Sequence, residues 1–179
     1  MRNKEMIVKF QFFSIIFTMI LGTLLHFTYG WSNNNVIVGT FSAVNESTWE
    51  HLKLLFFPML ISTIIGYFYI GRDSFNYLCS RTIGIIVAMS FVVIFFYTYT
   101  GIIGTNFAIL DIGSFFVAVL LGEYVSSKIL DSNFRCTKIA STIILAILLI
   151  CFIVFTFITP KIALFQDPVT GGFGINNER

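Results

Sequence analysis

The side chains best suited to chemistry in this sequence are two histidines and two nearby glutamates. The chain contains no other histidine, and the four residues are His26, Glu46, Glu50 and His51. Glu46 and Glu50 are four residues apart, so on a helix they would share a face. Because imidazole and carboxylate groups bind zinc, manganese or iron, the set predicts a divalent-metal site.

Other interpretations of the same residues stay open. Glu46, Glu50 and Lys53 also follow the i, i+4, i+7 spacing that is typical of a solvated ion-pair stripe on an interfacial helix. His26 could simply form a hydrogen bond at the level of the lipid headgroups. Two imidazoles at one depth could instead bind a b-type haem. No HExxH motif occurs, so the zinc-protease helix is not indicated.

The composition places these residues in a membrane protein. Of 179 residues, 56% are hydrophobic and 11% are charged, whereas a soluble domain has about 25% charged residues. The mean hydropathy is +0.87, which excludes a soluble enzyme. The net charge of +2 is spread over separated segments, so it forms no basic stripe for nucleic acid. The expected partner is the lipid bilayer.

Long apolar runs predict five transmembrane helices and therefore an all-α membrane bundle in a single domain. A spanning helix needs about 20 mostly apolar residues. The predicted spans cover residues 7–29, 52–71, 82–100, 107–128 and 139–159. A turn at 101–106 joins the third and fourth spans. Residues 30–51 form an outer loop and 160–179 an outer tail, and we expect both to fold over the mouth of the bundle.

Lysine and arginine positions predict how the bundle is oriented, because these residues are enriched in cytoplasmic connections. Of the eleven, the outer side carries only Lys53, Lys161 and Arg179. We therefore expect the N-terminus in the cytoplasm and the C-terminus outside. The other eight lie on the predicted cytoplasmic side: Arg2, Lys4, Lys9, Arg72, Arg81, Lys128, Arg135 and Lys138.

The two histidines are predicted to lie at similar depth. His26 follows Ile7, where the first span enters, by 19 residues, or about 28 Å along a helix. That length reaches the outer edge of a hydrocarbon core of roughly 30 Å. His51 lies at the outer start of the second span, so both imidazoles are expected near the outer surface.

The fourth span carries two acids at different depths. Asp111 lies near its outer end, where the first turn of a helix favours acids. Glu123 lies about 18 Å further along the helix, where a buried acid costs about 2.5–3.5 kcal/mol and is usually functional or paired. It could serve ion or proton passage, reach headgroup water, or pair with Arg81. Small residues nearby, such as Gly122, favour close helix packing.

The three cysteines predict neither a disulfide nor a zinc–thiolate site. Cys79, Cys136 and Cys151 lie at cytoplasmic ends or inside a helix, and none is in an outer loop. Disulfides belong to oxidising compartments, and the chain has no CxxC pair for zinc.

Four segments of the chain resemble an uncharacterised family of small bacterial membrane proteins, classed as a domain of unknown function. They are HFTYGW at 26–31, VGTFSAVNESTWEHLK at 38–53, GEYVS at 122–126 and LFQDPVTG at 164–171. The resemblance implies a multi-span protein of the bacterial plasma membrane with its signature on the outer side. It implies no activity.

Three classes of function follow from these observations. In the first, the protein binds or translocates a small solute or ion, attracted by the outer acids Glu46, Glu50, Asp111 and Asp167. In the second, it is a metal-dependent enzyme that acts on a lipid-type substrate, with Glu46 as general base and a metal held by His26, Glu50 and His51. In the third, it is a non-catalytic accessory subunit of a membrane complex that docks a partner subunit. A homo-oligomer is also possible. Ionisable groups at two depths favour binding or transport.

Overall fold

The chain folds into a bundle of long helices. A computed structural model describes residues 4–72, 74–134 and 136–175, and these contain no β-strand apart from one isolated bridge between Gln166 and Phe173. A short helix α2 (Val36–Gly39) lies in the first connection, and α3 continues into a π-helical turn (Tyr67–Gly71). The long helices are α1 (Lys4–Trp31), α3 (Thr48–Gly66), α4 (Tyr77–Ile103), α5 (Ala108–Leu130) and α6 (Lys138–Phe157).

Five of these segments are long and apolar enough to cross a membrane, which confirms the predicted all-α fold. Each coincides with one predicted span, but several ends differ. The largest difference is in α4, which begins at Tyr77 and continues through Gly101 to Ile103. Gly104 ends this helix with a φ of +85°, the left-handed conformation that glycine adopts most readily at a helix C-terminus. The turn before α5 is therefore shorter than predicted.

The start of α3 also differs from the prediction. The helix begins at Thr48, four residues before the predicted span, and the hydroxyl of Ser47 accepts a hydrogen bond from the Glu50 N–H at 3.4 Å. A serine oxygen in this position satisfies one of the free N–H groups of the first turn. Glu46 consequently lies before the helix and shares no helical face with Glu50.

Small residues allow α4 and α5 to approach closely. A Cβ atom added to Gly84 would lie 2.6 Å from the carbonyl oxygen of Gly122, and one added to Gly122 would lie 2.7 Å from the carbonyl oxygen of Gly84. The two backbones are thus in contact, as small residues permit in membrane helices. Around this contact the core is formed by Leu55, Phe56, Met59, Ile85, Ala118 and Phe152.

The outer surface of the bundle is apolar. Ile94, Ile109 and Ile139 are 66%, 80% and 73% exposed. In water such a surface would be costly, whereas in lipid it is the expected one. Together with the five spans, this identifies the chain as a multi-pass membrane protein.

The two ends of the bundle differ. The site end, as we name it, comprises residues 32–47, 104–107 and 158–175; the opposite end comprises the start of α1, residues 72 and 74–76, and residues 131–134 and 136–137. At the site end the tail meets the first connection and the start of α3. Phe165 packs against Trp49, with ring centroids 4.7 Å apart, and the Asn45 amide donates to the Gly174 carbonyl. Arg2, Arg135 and residues 176–179, whose charges entered the orientation prediction, lie outside the described residues.

In the structure a disulfide bond joins Cys79 to Cys136 at the opposite end, where the sequence predicted none. The two residues are 57 positions apart, and the packing of α4 brings its first turn beside the connection that precedes α6. Their Cα atoms lie 5.8 Å apart, within the usual range for a disulfide. Cys151 on α6 is a free thiol.

Candidate metal centre

Three of the four predicted metal ligands converge at the site end. A carboxylate oxygen of Glu46 lies 3.5 Å from His51 Nε2 and 3.9 Å from His26 Nε2. One donor atom from each residue can be chosen so that all three lie within 4.8 Å of one another. The two histidine side chains are about one-third exposed and Glu46 is about half exposed, so the group is open to a ligand from outside. We call these three residues the HEH cluster.

The backbone around Glu46 is fixed from both sides. The Asn45 side-chain oxygen accepts a hydrogen bond from the Ser47 N–H at 2.9 Å, while its amide nitrogen donates to the Gly174 carbonyl at 3.1 Å. Asparagine forms such local turns readily. The backbone of Glu46 is therefore held between the start of α3 and the tail. The exposed Glu46 side chain makes too few contacts to fix this position by itself.

A hydrogen bond orients the imidazole of His51. Its Nδ1 atom lies 2.9 Å from the carbonyl oxygen of Ser47. Because a carbonyl only accepts, Nδ1 carries the proton, and in the neutral ring Nε2 is left with a free lone pair toward Glu46. Metal-binding histidines commonly use this arrangement, since it fixes both ring position and tautomer.

The geometry does not suit the haem alternative. The rings of His26 and His51 meet edge to face, with centroids 5.2 Å apart. Two axial ligands must lie on opposite faces of a planar macrocycle, and this spacing leaves no room for one between them. Glu46 also lies at both Nε2 atoms, where a haem iron would have to bind.

A cavity of about 410 Å³ opens beside the HEH cluster. Residues from α1, α3, α4 and α5 line it, and all three cluster residues contribute to its wall. Two tail residues, Pro168 and Val169, cover part of its rim. The apolar part of the wall includes Leu54, Leu55, Val92, Phe96, Ile112, Phe115 and Phe116.

Asp111 lines the same cavity from α5, in the first turn of its helix as predicted. Its carboxylate accepts a hydrogen bond from the Tyr99 hydroxyl and another from the Asn106 amide at 3.3 Å. The Tyr99 hydroxyl in turn accepts from the Phe107 N–H. Asp111 is thus a fixed negative group in the cavity wall, and it is not among the cluster residues.

The structure places Glu50 outside the HEH cluster. Its carboxylate lies 2.6 Å from Lys53 Nζ and accepts a hydrogen bond from the Val44 N–H. Both charged side chains are almost completely buried. The ammonium of Lys53 also donates to the Gly39 carbonyl at 2.9 Å and to the Thr156 hydroxyl at 2.5 Å. The pair therefore joins α3, the first connection and α6. The sequence had suggested that Lys53 lies on a solvated surface, whereas the structure buries it as the centre of these contacts.

Glu123 pairs with Arg81, one of the alternatives that the sequence left open. The two groups are 2.5 Å apart and nearly fully buried. Ser14 donates to the second Glu123 oxygen, and Arg81 donates to Ser14, Ser62 and Thr63. Every described hydrogen-bonding partner in this network comes from α1, α3, α4 or α5.

Asp167 organises the tail and is not one of the HEH cluster residues. Its carboxylate accepts hydrogen bonds from the Val169 N–H at 2.8 Å and the Thr170 hydroxyl at 2.8 Å. These bonds stabilise the turn at 167–170, which carries Pro168 and Val169 over the cavity.

Fold and site together define a multi-pass helical membrane protein with a polar pocket at one end. The chain matches a family of unknown function, DUF6512, over residues 1–175, and it belongs to that family. This agrees with the resemblance to an uncharacterised family. Comparison with curated proteins and with solved structures finds no match.

Proposed function

We propose that this protein binds a divalent transition-metal ion, zinc in the first instance, at the HEH cluster. The observation that carries the proposal is the convergence of three donor atoms within 4.8 Å, contributed by His26, Glu46 and His51. Two histidines and one carboxylate are the ligands of several catalytic zinc sites, in which a fourth position stays free for water or substrate. The same donor types also suit non-haem iron.

The spacing of the donor atoms supports this assignment. Two ligands that bind one tetrahedral zinc ion at about 2.1 Å lie about 3.4 Å apart. The Glu46 oxygen is 3.5 Å from His51 Nε2 and 3.9 Å from His26 Nε2. All three donor pairs lie within 4.8 Å, so side-chain rotation must bring the widest pair closer for all three residues to bind one ion. The backbone that carries Glu46 and His51 is already fixed.

The surroundings favour a resident metal ion that acts on a bound molecule over an ion that the protein transports. The HEH cluster adjoins a cavity with a largely apolar wall, and the deeper acid, Glu123, is fully engaged by Arg81. Lysine and arginine placement supports a site that faces away from the cytoplasm. We therefore favour a membrane-embedded metal site whose ion serves as a Lewis acid toward a bound molecule.

Metal analysis of the purified protein tests the proposal. Protein extracted in detergent without chelator should contain close to one equivalent of zinc or iron by inductively coupled plasma mass spectrometry. Glu46→Gln should weaken metal affinity by at least about tenfold, since even supporting residues of metal sites have effects of that size. Glu5→Gln is the matched control, because Glu5 is an exposed glutamate at the far end of α1.

Two results would overturn the proposal. One is wild-type protein that neither retains a transition metal nor binds zinc in a calorimetric titration. The other is equal zinc affinity of the Glu46→Gln and wild-type proteins, which would leave Glu46 as an exposed ion-pair partner of the histidines.

A further inference from the structure

The cavity beside the HEH cluster has a polar end and an apolar end. Glu46 and both histidines form the polar end. Away from them the wall is mostly aliphatic and aromatic, with side chains from four helices such as Leu55, Val92 and Phe115. Its other polar members are Thr23, Thr48, Asn106, Asp111 and Ser114. A volume of about 410 Å³ lies within the range of about 300–1,000 Å³ that small-molecule pockets have.

Close helix packing bounds one side of this cavity. A Cβ atom added to Gly22 on α1 would lie 2.5 Å from the Leu54 carbonyl oxygen and 2.6 Å from the Phe115 ring. Here α1 therefore touches both α3 and α5. Elsewhere the wall reaches the surface of the bundle.

Several wall residues are also part of the lipid-facing surface. Phe27, Ile112 and Phe116 line the cavity and are 49%, 58% and 36% exposed. They belong to α1 and α5, whose other exposed side chains are mostly apolar. The exposed charged ones lie toward the opposite end and are Lys4, Glu5, Lys9 and Lys128. A molecule dissolved in the bilayer can therefore enter from the side, while the HEH cluster stays at the headgroup level.

The electrostatics of the wall restrict the head of such a molecule. A divalent ion bound by one carboxylate attracts an oxygen ligand. Asp111 adds a fixed negative group to the same wall, which disfavours a strongly anionic head such as a phosphate. A neutral carbonyl, as in an acyl ester or amide, satisfies both conditions.

We propose that the cavity binds a linear amphiphile, with a neutral acyl carbonyl at the metal and a hydrocarbon chain between α1, α3, α4 and α5. This inference rests on the proposed metal site. The carbonyl could come from a membrane lipid or from the acyl chain of a lipid-modified molecule, and the chemistry that is recognised is the same.

A series of n-alkyl hydroxamates of two to ten carbons tests the inference, because a hydroxamate is a metal-binding relative of the acyl carbonyl. Each methylene buried in the cavity should strengthen binding by about fourfold. Val92→Phe reduces the space for the chain and should abolish the gain for the longer members. Ile94→Phe on the same helix faces lipid (66% exposed) and should bind like the wild type.

Partitioning of the probes into detergent affects every variant equally, so affinity is expressed as the ratio of wild type to Val92→Phe at each chain length. A second pair of variants, one in the cavity and one control, keeps the test decisive if Val92→Phe folds poorly. Ile112→Trp narrows the mouth of the cavity, and Ile109→Trp places the same side chain on the lipid-facing side of the same helix (80% exposed).

Metal content, measured on the same samples, separates the two proposals. A ratio that rises with chain length in a protein that retains metal supports the inference. Metal-bound protein whose ratio stays flat in both variant pairs overturns the amphiphile and leaves the metal site standing. Protein without metal that binds no hydroxamate overturns both.

Discussion

The Nδ1 atom of His51 donates a hydrogen bond to the carbonyl oxygen of Ser47 at 2.9 Å. This bond leaves Nε2 as the only ring nitrogen available to a metal. The substitution His51→Asn tests the roles of the two nitrogens separately. The asparagine amide can still donate a hydrogen bond to Ser47, whereas no atom remains at the Nε2 position. We expect the variant to lose the metal.

The same variant should keep its stability in the absence of metal. Thermal unfolding in a chelator should give midpoints for His51→Asn and wild type that agree closely, whereas the difference should appear when zinc is added, because only the wild type gains binding energy. Stoichiometric zinc in His51→Asn would contradict a role for Nε2.

The buried pair of Arg81 and Glu123 should be structural. Removal of one member of a buried ion pair costs about 3–5 kcal/mol, because it leaves an uncompensated charge, whereas replacement of both is often nearly neutral. Arg81→Met should therefore lower the unfolding temperature strongly, and the double variant Arg81→Met/Glu123→Gln should recover much of it. In the double variant the Ser14 and Ser62 hydroxyls, already 3.0 Å apart, can still bond to each other.

Ion flux distinguishes this role from the earlier hypothesis of ion or proton passage. Liposomes that contain the wild-type protein should show no proton flux above that of empty liposomes. A flux that Glu123→Gln removes while the variant keeps its unfolding temperature would instead support passage through this part of the bundle.

The spans and the meeting of the two histidines were within reach of sequence reasoning. Runs of apolar residues locate membrane helices because the bilayer requires a fixed length. The rise of 1.5 Å per residue then relates His26 to the depth of His51, and the structure places their rings 5.2 Å apart. Depth alone, however, does not determine which carboxylate joins them.

Glu50 shows where the pattern failed. The prediction assumed a helix that already included Glu46, although the sequence Ser47-Thr48-Trp49-Glu50 has the S-x-x-E form of a helix start. That signal would have placed Glu46 before the helix. Nothing local indicates that Lys53 Nζ reaches the Gly39 carbonyl and Thr156, because these contacts depend on how α3 packs against distant segments.

Lys53→Met should loosen the first connection at the site end. The substitution removes the donor to Gly39 and leaves Glu50 buried without its cation, which is unfavourable. Residues 36–47 should then exchange amide hydrogens faster, as measured by mass spectrometry, and metal affinity should fall because Glu46 lies in this segment. Lys161→Met, at an exposed tail position, is the control. Unchanged exchange in 36–47 would show that the pair does not hold this segment.

The disulfide between Cys79 and Cys136 lies at the end of the bundle that lysine and arginine placement assigns to the cytoplasm. Disulfides are rare in that compartment, where thiols are kept reduced. The cytoplasmic position and the disulfide are compatible if the two cysteines are thiols in growing cells and form the bond only under oxidising conditions. A bond across this loop would then add about 4 kcal/mol of stability by the chain-entropy estimate.

Thiol trapping in living cells tests both the pairing and the orientation. Living cells quenched in acid and then dissolved in SDS with a maleimide should show label on all three cysteines, because unfolding exposes the buried Cys79. Oxidation of isolated membranes before the same treatment should leave only Cys151 labelled. The double variant Cys79→Ser/Cys136→Ser should give the same single label under both conditions. If the wild type instead shows one label in living cells, the disulfide exists there, and the opposite end together with the N-terminus must face an oxidising compartment. The HEH cluster would then face the cytoplasm.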